Sequence, residues 1–363
     1  MRKLDIQAIE DIAVGAAILG AGGGGDPNHG KLIAILAIQK HGAVELLTTE
    51  EVPDDALIIP LASMGAPTVG LEKLPKGDEA LHAFRVLEKH LGKKAYATMP
   101  IEAGGMNSTI PISVAASIGI PLIDADGMGR AFPEIPMVTP TIYGVSATPM
   151  AMADEKGNTI LLHTMDNSWA ERFSRAITVE MGGSAFVAIY PMIGKEMRKV
   201  AVKGSVTYAE TIGRTLREAQ VTKVNPIEKL LGVTGGFELF RGKVADVQRR
   251  TVKGFARGEA VIDGIENYKE QKLTIHFQNE NLVTILGEVV IASVPDLITV
   301  LDAELGFPIT TEHLGYGARV IVIGMPCNEL WRTPKGLELV GPRYFGYDID
   351  YKPIEDRIEE VRA

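Results

Sequence analysis

The chain has 363 residues, 46% of them hydrophobic and 23% charged, with 46 acidic against 37 basic side chains, a formal net charge of -9 and one cysteine, Cys327. The acidic balance excludes a broad basic face for nucleic acid, the globular proportions exclude a disordered or fibrous chain, and a lone cysteine excludes an internal disulfide and fits a reducing compartment. The longest apolar runs, 57–62 and 185–190, have strand length and fall short of a membrane span, and residues 1–6 lack an apolar signal core, so a cytoplasmic protein of two domains that does not engage membranes is expected.

In chain order, apolar residues recur at helical spacing over 6–19 behind Asp5 as N-cap. Four consecutive glycines, Gly22, Gly23, Gly24 and Gly25, end that helix and run into Asp26, Pro27 and a second helical stretch over 30–41. Ordering glycine is costly, so such a cluster marks positive φ or close approach of backbone to a ligand, with a flexible connecting loop as the plain alternative. Strand signals follow over 44–47 and 56–62, then a charged helix over 79–90, a strand over 94–99, a helix over 107–118 and a strand over 121–126 that ends in carboxylates. A strand over 159–162 and a helix over 206–219 continue the alternation. Alternating strands and helices imply an α/β domain with a mainly parallel sheet, whose ligands bind beyond the carboxyl ends of the strands.

Beyond Gly235 and Gly236 the character changes. Segments 237–259, 272–286, 288–294 and 319–325 are β-rich and are separated by turn signals such as Asp263-Gly264 and Asn279-Glu280-Asn281. Successive strands without a long helix suggest a compact barrel or sandwich. The expected division is an α/β domain over 1–234, a β-barrel-like domain over 235–345, and a C-terminal segment over 346–363 that returns to the first domain.

Two strings concentrate polar chemistry. Glu102-Ala103-Gly104-Gly105-Met106-Asn107-Ser108 follows a strand and opens a helix; freed amides there suit an anion and Glu102 suits a proton or a cation, while Asn107 or Ser108 also reads as an N-cap. Asp124 and Asp126 lie two apart, which on an extended strand points both carboxylates one way and lets them share a metal or a proton. Arg130, close behind, either neutralises that pair in a structural network or binds a substrate carboxylate in bidentate fashion. Cys327 ends a strand pattern and reads as a buried apolar side chain more readily than as a nucleophile. No His-Glu-x-x-His or Cys-x-x-Cys spacing occurs, so a divalent metal is left open and would need ligands from distant segments. No nucleotide cofactor is expected, because no Gly-Lys-Ser/Thr follows the glycine run and a helix precedes it where a dinucleotide fingerprint requires a strand. The expected partners are a small-molecule substrate and a second copy of the chain.

Taken together, Gly22 to Pro27, Glu102 to Asn107, Asp124-Ala125-Asp126-Gly127-Met128-Gly129-Arg130-Ala131-Phe132-Pro133 and Gly341-Pro342-Arg343-Tyr344-Phe345-Gly346-Tyr347-Asp348 resemble a bacterial and archaeal family named for S-methyl thiohydantoin desulfurase. The resemblance covers nearly the whole chain. It implies an N-terminal three-layer α/β domain with a smaller β-barrel domain, and a hydrolase that attacks a thiohydantoin ring carbon with loss of its sulfur. It also implies genomic neighbours of the hydantoinase or oxoprolinase type, and with them a hydantoinase-type partner.

On that reading Asp124 or Asp126 is the base and Glu102 the acid. The amides of Gly22 to Gly25 with Asp26 and Asn107 clamp the ring, and Arg130 or Arg343 holds a substrate carboxylate. The alternative is a non-catalytic partner subunit or a small-ligand-binding protein of a hydantoinase-like system.

Overall fold

The computed structural model describes residues 2–70 and 72–362. Its first helix, Ile6–Leu19, starts where Asp5 accepts a hydrogen bond from the Ala8 amide at 2.8 Å. The second, Pro27–His41, is capped by Asp26, which accepts from the amides of Asn28 at 2.7 Å and His29 at 3.1 Å. Proline in the first turn, with its φ already fixed, carries that helix three residues further back than its apolar spacing indicates. Helix Ile6–Leu19 crosses helix Ser205–Thr222 in backbone contact: a Cβ on Gly15 would lie 1.8 Å from the Ala209 carbonyl oxygen, and one on Gly213 1.9 Å from that of Asp11.

The N-terminal part mixes helices and strands, and the expected mainly parallel sheet is not what forms. Val44–Leu47 and Leu122–Ile123 pair in parallel, flanked by Arg2–Leu4 in antiparallel pairing. Segment 94–99 makes isolated parallel bridges in place of a strand. The four-stranded sheet runs in the order Leu61–Gly65, Ser184–Ala188, Met150–Ala153, Thr159–Leu162 and is antiparallel throughout. Its last two strands are joined by residues 154–158 alone, too short for the crossover that parallel pairing needs.

After helix Pro226–Thr234, which Gly235 ends at φ +63°, the chain forms an eight-stranded antiparallel sheet. Its spatial order is Val289–Ser293, Glu280–Leu286, Lys272–Gln278, Phe255–Gly264, Phe237–Val252, Arg319–Met325, Leu297–Asp302, Pro308–Ile309. The expected barrel closure is absent: among the described residues no ladder joins Val289–Ser293 to Pro308–Ile309. The latter is two residues long and opens with a proline, which has no N–H to give a further strand.

One apolar core runs through both parts, including Ile18, Ile123, Met128, Val187, Leu282, Leu297 and Trp331. A second fills the eight-stranded sheet and takes in Ile354 and Ile358 of helix Ile354–Arg362. Among the described residues no helix is long and apolar enough to cross a membrane.

Candidate active site

The glycine run, strand Leu61–Gly65, the loops around 102–107 and 128–138, and the turn at 279–280 enclose a cavity of about 130 Å³. The glycine run and the 102–107 loop are held together by backbone. The Met106 amide donates to the Gly25 carbonyl at 3.3 Å and the Asn107 amide to that of Gly24 at 3.2 Å. Gly24 sits at φ +83° with its Cα against the Gly104 backbone, where a Cβ would approach to 2.6 Å. The glycines therefore serve close approach of two loops as well as an open wall, since Gly24 and Gly25 line the cavity. Gly22 and Gly23 face the C-terminal sheet instead: a Cβ on Gly23 would stand 2.0 Å from Glu280 Oε1, and one on Gly22 2.8 Å from Asn281 Nδ2.

Asn107 does not cap the following helix. Its side chain turns inward, where Oδ1 accepts from the Ser63 amide at 2.6 Å and the Ser63 hydroxyl at 2.8 Å, which leaves Nδ2 to donate to Glu102 Oε1. This fixes the amide orientation and presents Glu102 in one rotamer. Glu102 is buried, and loss of water raises its pKa to about 7, against the opposing hydrogen bond from Asn107. Glu280, also buried and lining the cavity, is raised well above the ordinary carboxyl range, first by desolvation and then by the charge of Glu102. Its Oε2 has no hydrogen-bond partner among the described residues.

The aspartate pair is split. A bend at Asp124 breaks the strand into Leu122–Ile123 and Ala125–Asp126, so the alternation expected of an extended segment is lost. Asp124 accepts from the Thr207 amide at 2.9 Å and the Thr207 hydroxyl at 2.6 Å, at the first turn of helix Ser205–Thr222 and outside the cavity lining. Asp126 is wholly buried behind the cavity wall. Its Oδ2 accepts from the amides of Met128 at 2.8 Å and Gly129 at 2.7 Å, and burial raises its pKa to about 6. Asp126 acts on Glu102 through its charge, which helps to raise the Glu102 pKa.

Arg130 is also wholly buried: Nη1 donates to the carbonyls of Pro295 at 2.7 Å and Asp296 at 2.8 Å, Nε to that of Ala131 at 3.0 Å, and the guanidinium lies 4.4 Å from the centre of the Phe132 ring. Arg343 lies apart from these groups, exposed and paired with Asp348 at 2.6 Å and Asp350 at 2.9 Å. Asp26 lines the cavity mouth, 3.8 Å from His313.

Several lining residues escaped the sequence reading: Ser63, Lys73, Glu134, Arg175 and Glu280. The signal for Glu280 was present, since an acid between two asparagines interrupts strongly apolar strands, but such a triplet reads first as a turn. It is a turn as well, with Asn279 at φ +60°. Both cations of the lining are occupied, Lys73 by Glu155 at 2.7 Å and Arg175 by Glu171 at 2.8 Å. Among the described residues no group of three or more His, Cys, Asp or Glu side chains is placed to hold a metal ion. Cys327 is core: burial lifts its thiol to about 12.

Comparison with known proteins places this architecture. No curated protein matches the chain. A structural-genomics crystal structure of a protein from Chromobacterium violaceum superposes with a TM-score of 0.82 at 23% identity, covering 98% of this chain and 100% of that one, which establishes a shared fold. Two family models match end to end, the S-Me-THD-like N-terminal domain over residues 7–164 and the S-Me-THD-like C-terminal domain over residues 165–354. With both domains present in order over nearly its whole length, the chain belongs to the S-Me-THD-like family, the family of S-methyl thiohydantoin desulfurase.

Proposed function

We propose that the cavity hydrolyses a small cyclic amide-type compound, a thiohydantoin or hydantoin-like ring, by attack of water on a ring carbon with two buried carboxyls as base and acid. The carrying observation is that Glu102 and Glu280, brought from opposite halves of the chain, line one cavity as buried carboxyls, both raised above the ordinary carboxyl range by loss of water and Glu280 further by the charge of Glu102. Two buried carboxyls that feel each other's charge do not readily ionise together, so one serves as base while the other keeps its proton. Glu102, ionised in part at neutral pH and oriented by Asn107, takes a proton from water as the oxygen bonds to the ring carbon. Glu280, whose protonated form is favoured by burial and by the charge of Glu102, gives its proton to the departing sulfur or ring nitrogen as that bond breaks. Gly24 and Gly25 form the wall against which the ring lies. Asp126 and Asn107 set the state and aim of Glu102. The family supports the ring class, and the apolar lining from Met64, Met128, Phe132 and Phe186 suits a compact heterocycle.

The test is to incubate the purified chain with S-methyl thiohydantoin, 2-thiohydantoin and hydantoin, with and without chelator, following ring absorbance and thiol release. Thiol release that is abolished in Glu102→Gln supports the reading, and the chelator arm reports any metal requirement. Tight binding of a ring without turnover contradicts it and favours a ligand-binding or partner-subunit role.

A further inference from the structure

We infer that Arg130 is a positioning residue of the site, one that ties the Pro295–Asp296 turn to the 124–133 segment and supplies a buried positive charge to the Glu102 and Glu280 carboxyls without ion-pairing to either. This rests on the proposed acid–base pair and assigns Arg130 a role other than holding a substrate carboxylate. Three of its hydrogen bonds go to backbone carbonyls, of Ala131, Pro295 and Asp296, and these fix the guanidinium plane. Its Nη2 is buried and has no partner among the described residues, and the same is true of Glu280 Oε2. Among the described residues the guanidinium bonds to carbonyls and forms no ion pair with a carboxylate. Glu280 is nevertheless the carboxyl whose charge acts on it most strongly, and Glu102 is also felt.

A buried guanidinium that was purely structural would be expected to satisfy all its donors or to pair with a carboxylate, because an uncompensated buried donor is costly. Here carbonyls hold the cation at a distance. That arrangement favours ionisation of a nearby carboxyl without quenching it as a base, which a direct ion pair would do by pulling its pKa far down. Other charges act here too: Asp126 opposes ionisation of Glu102, Arg175, committed to Glu171, adds a weaker favourable influence on Glu280, and the Asp296 carboxylate also acts on Arg130.

The experiment compares wild type, Arg130→Met and Arg130→Lys by infrared titration of the protonated carboxyl band from pH 5 to 9, alongside the pH profile of kcat/KM. In Arg130→Met the midpoint assigned to Glu102, identified as the one missing in Glu102→Gln, should rise by about one pH unit or more, with Arg130→Lys close to wild type. A structural role alone would lower the stability of both variants and leave the midpoint in place, which would overturn the inference. In case Arg130→Met does not fold, wild-type protein with 15N-labelled arginine provides a second measurement. The Arg130 Nη resonances should titrate with the carboxyl pair and lose part of that response in Glu280→Gln, and flat resonances from pH 5 to 9 would overturn the inference. Neither titration depends on turnover, so inactive wild-type protein would sink the hydrolase reading and still decide the role of Arg130.

Discussion

Glu102 carries most of the chemistry at the scale of single residues, and its burial has a consequence for stability as well as for catalysis. Its folded pKa of about 7 lies above the ordinary 4.5 of the unfolded chain, so the folded state holds the proton more tightly between those values. The contribution to stability is present in full below about pH 4.5 and is lost as pH rises through about 7, because ionising the group in a dry site is unfavourable. Glu102→Gln removes that liability. The variant is therefore expected to match wild type near pH 4.5 and to exceed it by about 3 kcal/mol at pH 8, measured by urea unfolding at both values. Equal stability differences at the two pH values would show that Glu102 is not held in this way. The identity of Glu102 as a candidate was legible from the sequence, since a carboxylate beside two glycines and an asparagine is an uncommon string. Glu280 reads locally as a turn residue, because the contact that gives it meaning is with Gly23 and the charge it feels is that of Glu102, both far away in the chain.

Among the elements, the glycine run shows how local sequence and distant packing divide the work. Its position after helix Ile6–Leu19 and before the Asp26-Pro27 cap followed from periodicity and capping chemistry. Which glycine faces which neighbour did not, because that depends on loops the chain brings in later. Gly23→Ala tests the division: the new methyl would press on the buried Glu280 carboxyl, with an expected cost of about 1–3 kcal/mol from overpacking and a larger proportional loss of turnover as Glu280 is displaced. Gly232→Ala, in helix Pro226–Thr234 with open space where its Cβ would stand and an ordinary φ, is the control away from the cavity and should cost neither stability nor turnover. Denaturant midpoints and kcat for the pair read both effects. The strand expected over 121–126 shows the converse. Alternation gave a sound local pattern, yet the bend at Asp124 sends one carboxylate to helix Ser205–Thr222 and the other into the core, so spacing alone was misleading about their partnership.

Taken whole, the molecule joins its two parts around Asp296, which is fully buried. Asp296 accepts from the Cys327 amide at 3.0 Å, from Arg332 at 3.0 Å, from the Tyr351 hydroxyl at 3.0 Å and from the Ile354 amide at 2.8 Å, while its own carbonyl receives Arg130. Asp296→Ala leaves the Cys327 and Ile354 amides and the Tyr351 hydroxyl without their acceptor, while Arg332 keeps its pairing with Glu355, and unfolding by urea is expected to shift by about 2–4 kcal/mol; a shift below about 1 kcal/mol would show that the hub is not structural. The fold class was legible because strand and helix periods differ. Sheet direction and closure were not, because they depend on connection lengths and on a proline at a sheet end. Catalysis rests on Glu102 taking the proton from water while burial and the charge of Glu102 favour the protonated form of Glu280, and the most direct measurement is kcat/KM for thiol release from S-methyl thiohydantoin between pH 5 and 9. With Glu102 as the base, kcat/KM rises tenfold per pH unit and levels off near about pH 7, and Glu102→Gln loses about 100-fold or more. A flat profile, or full activity in that variant, would contradict it.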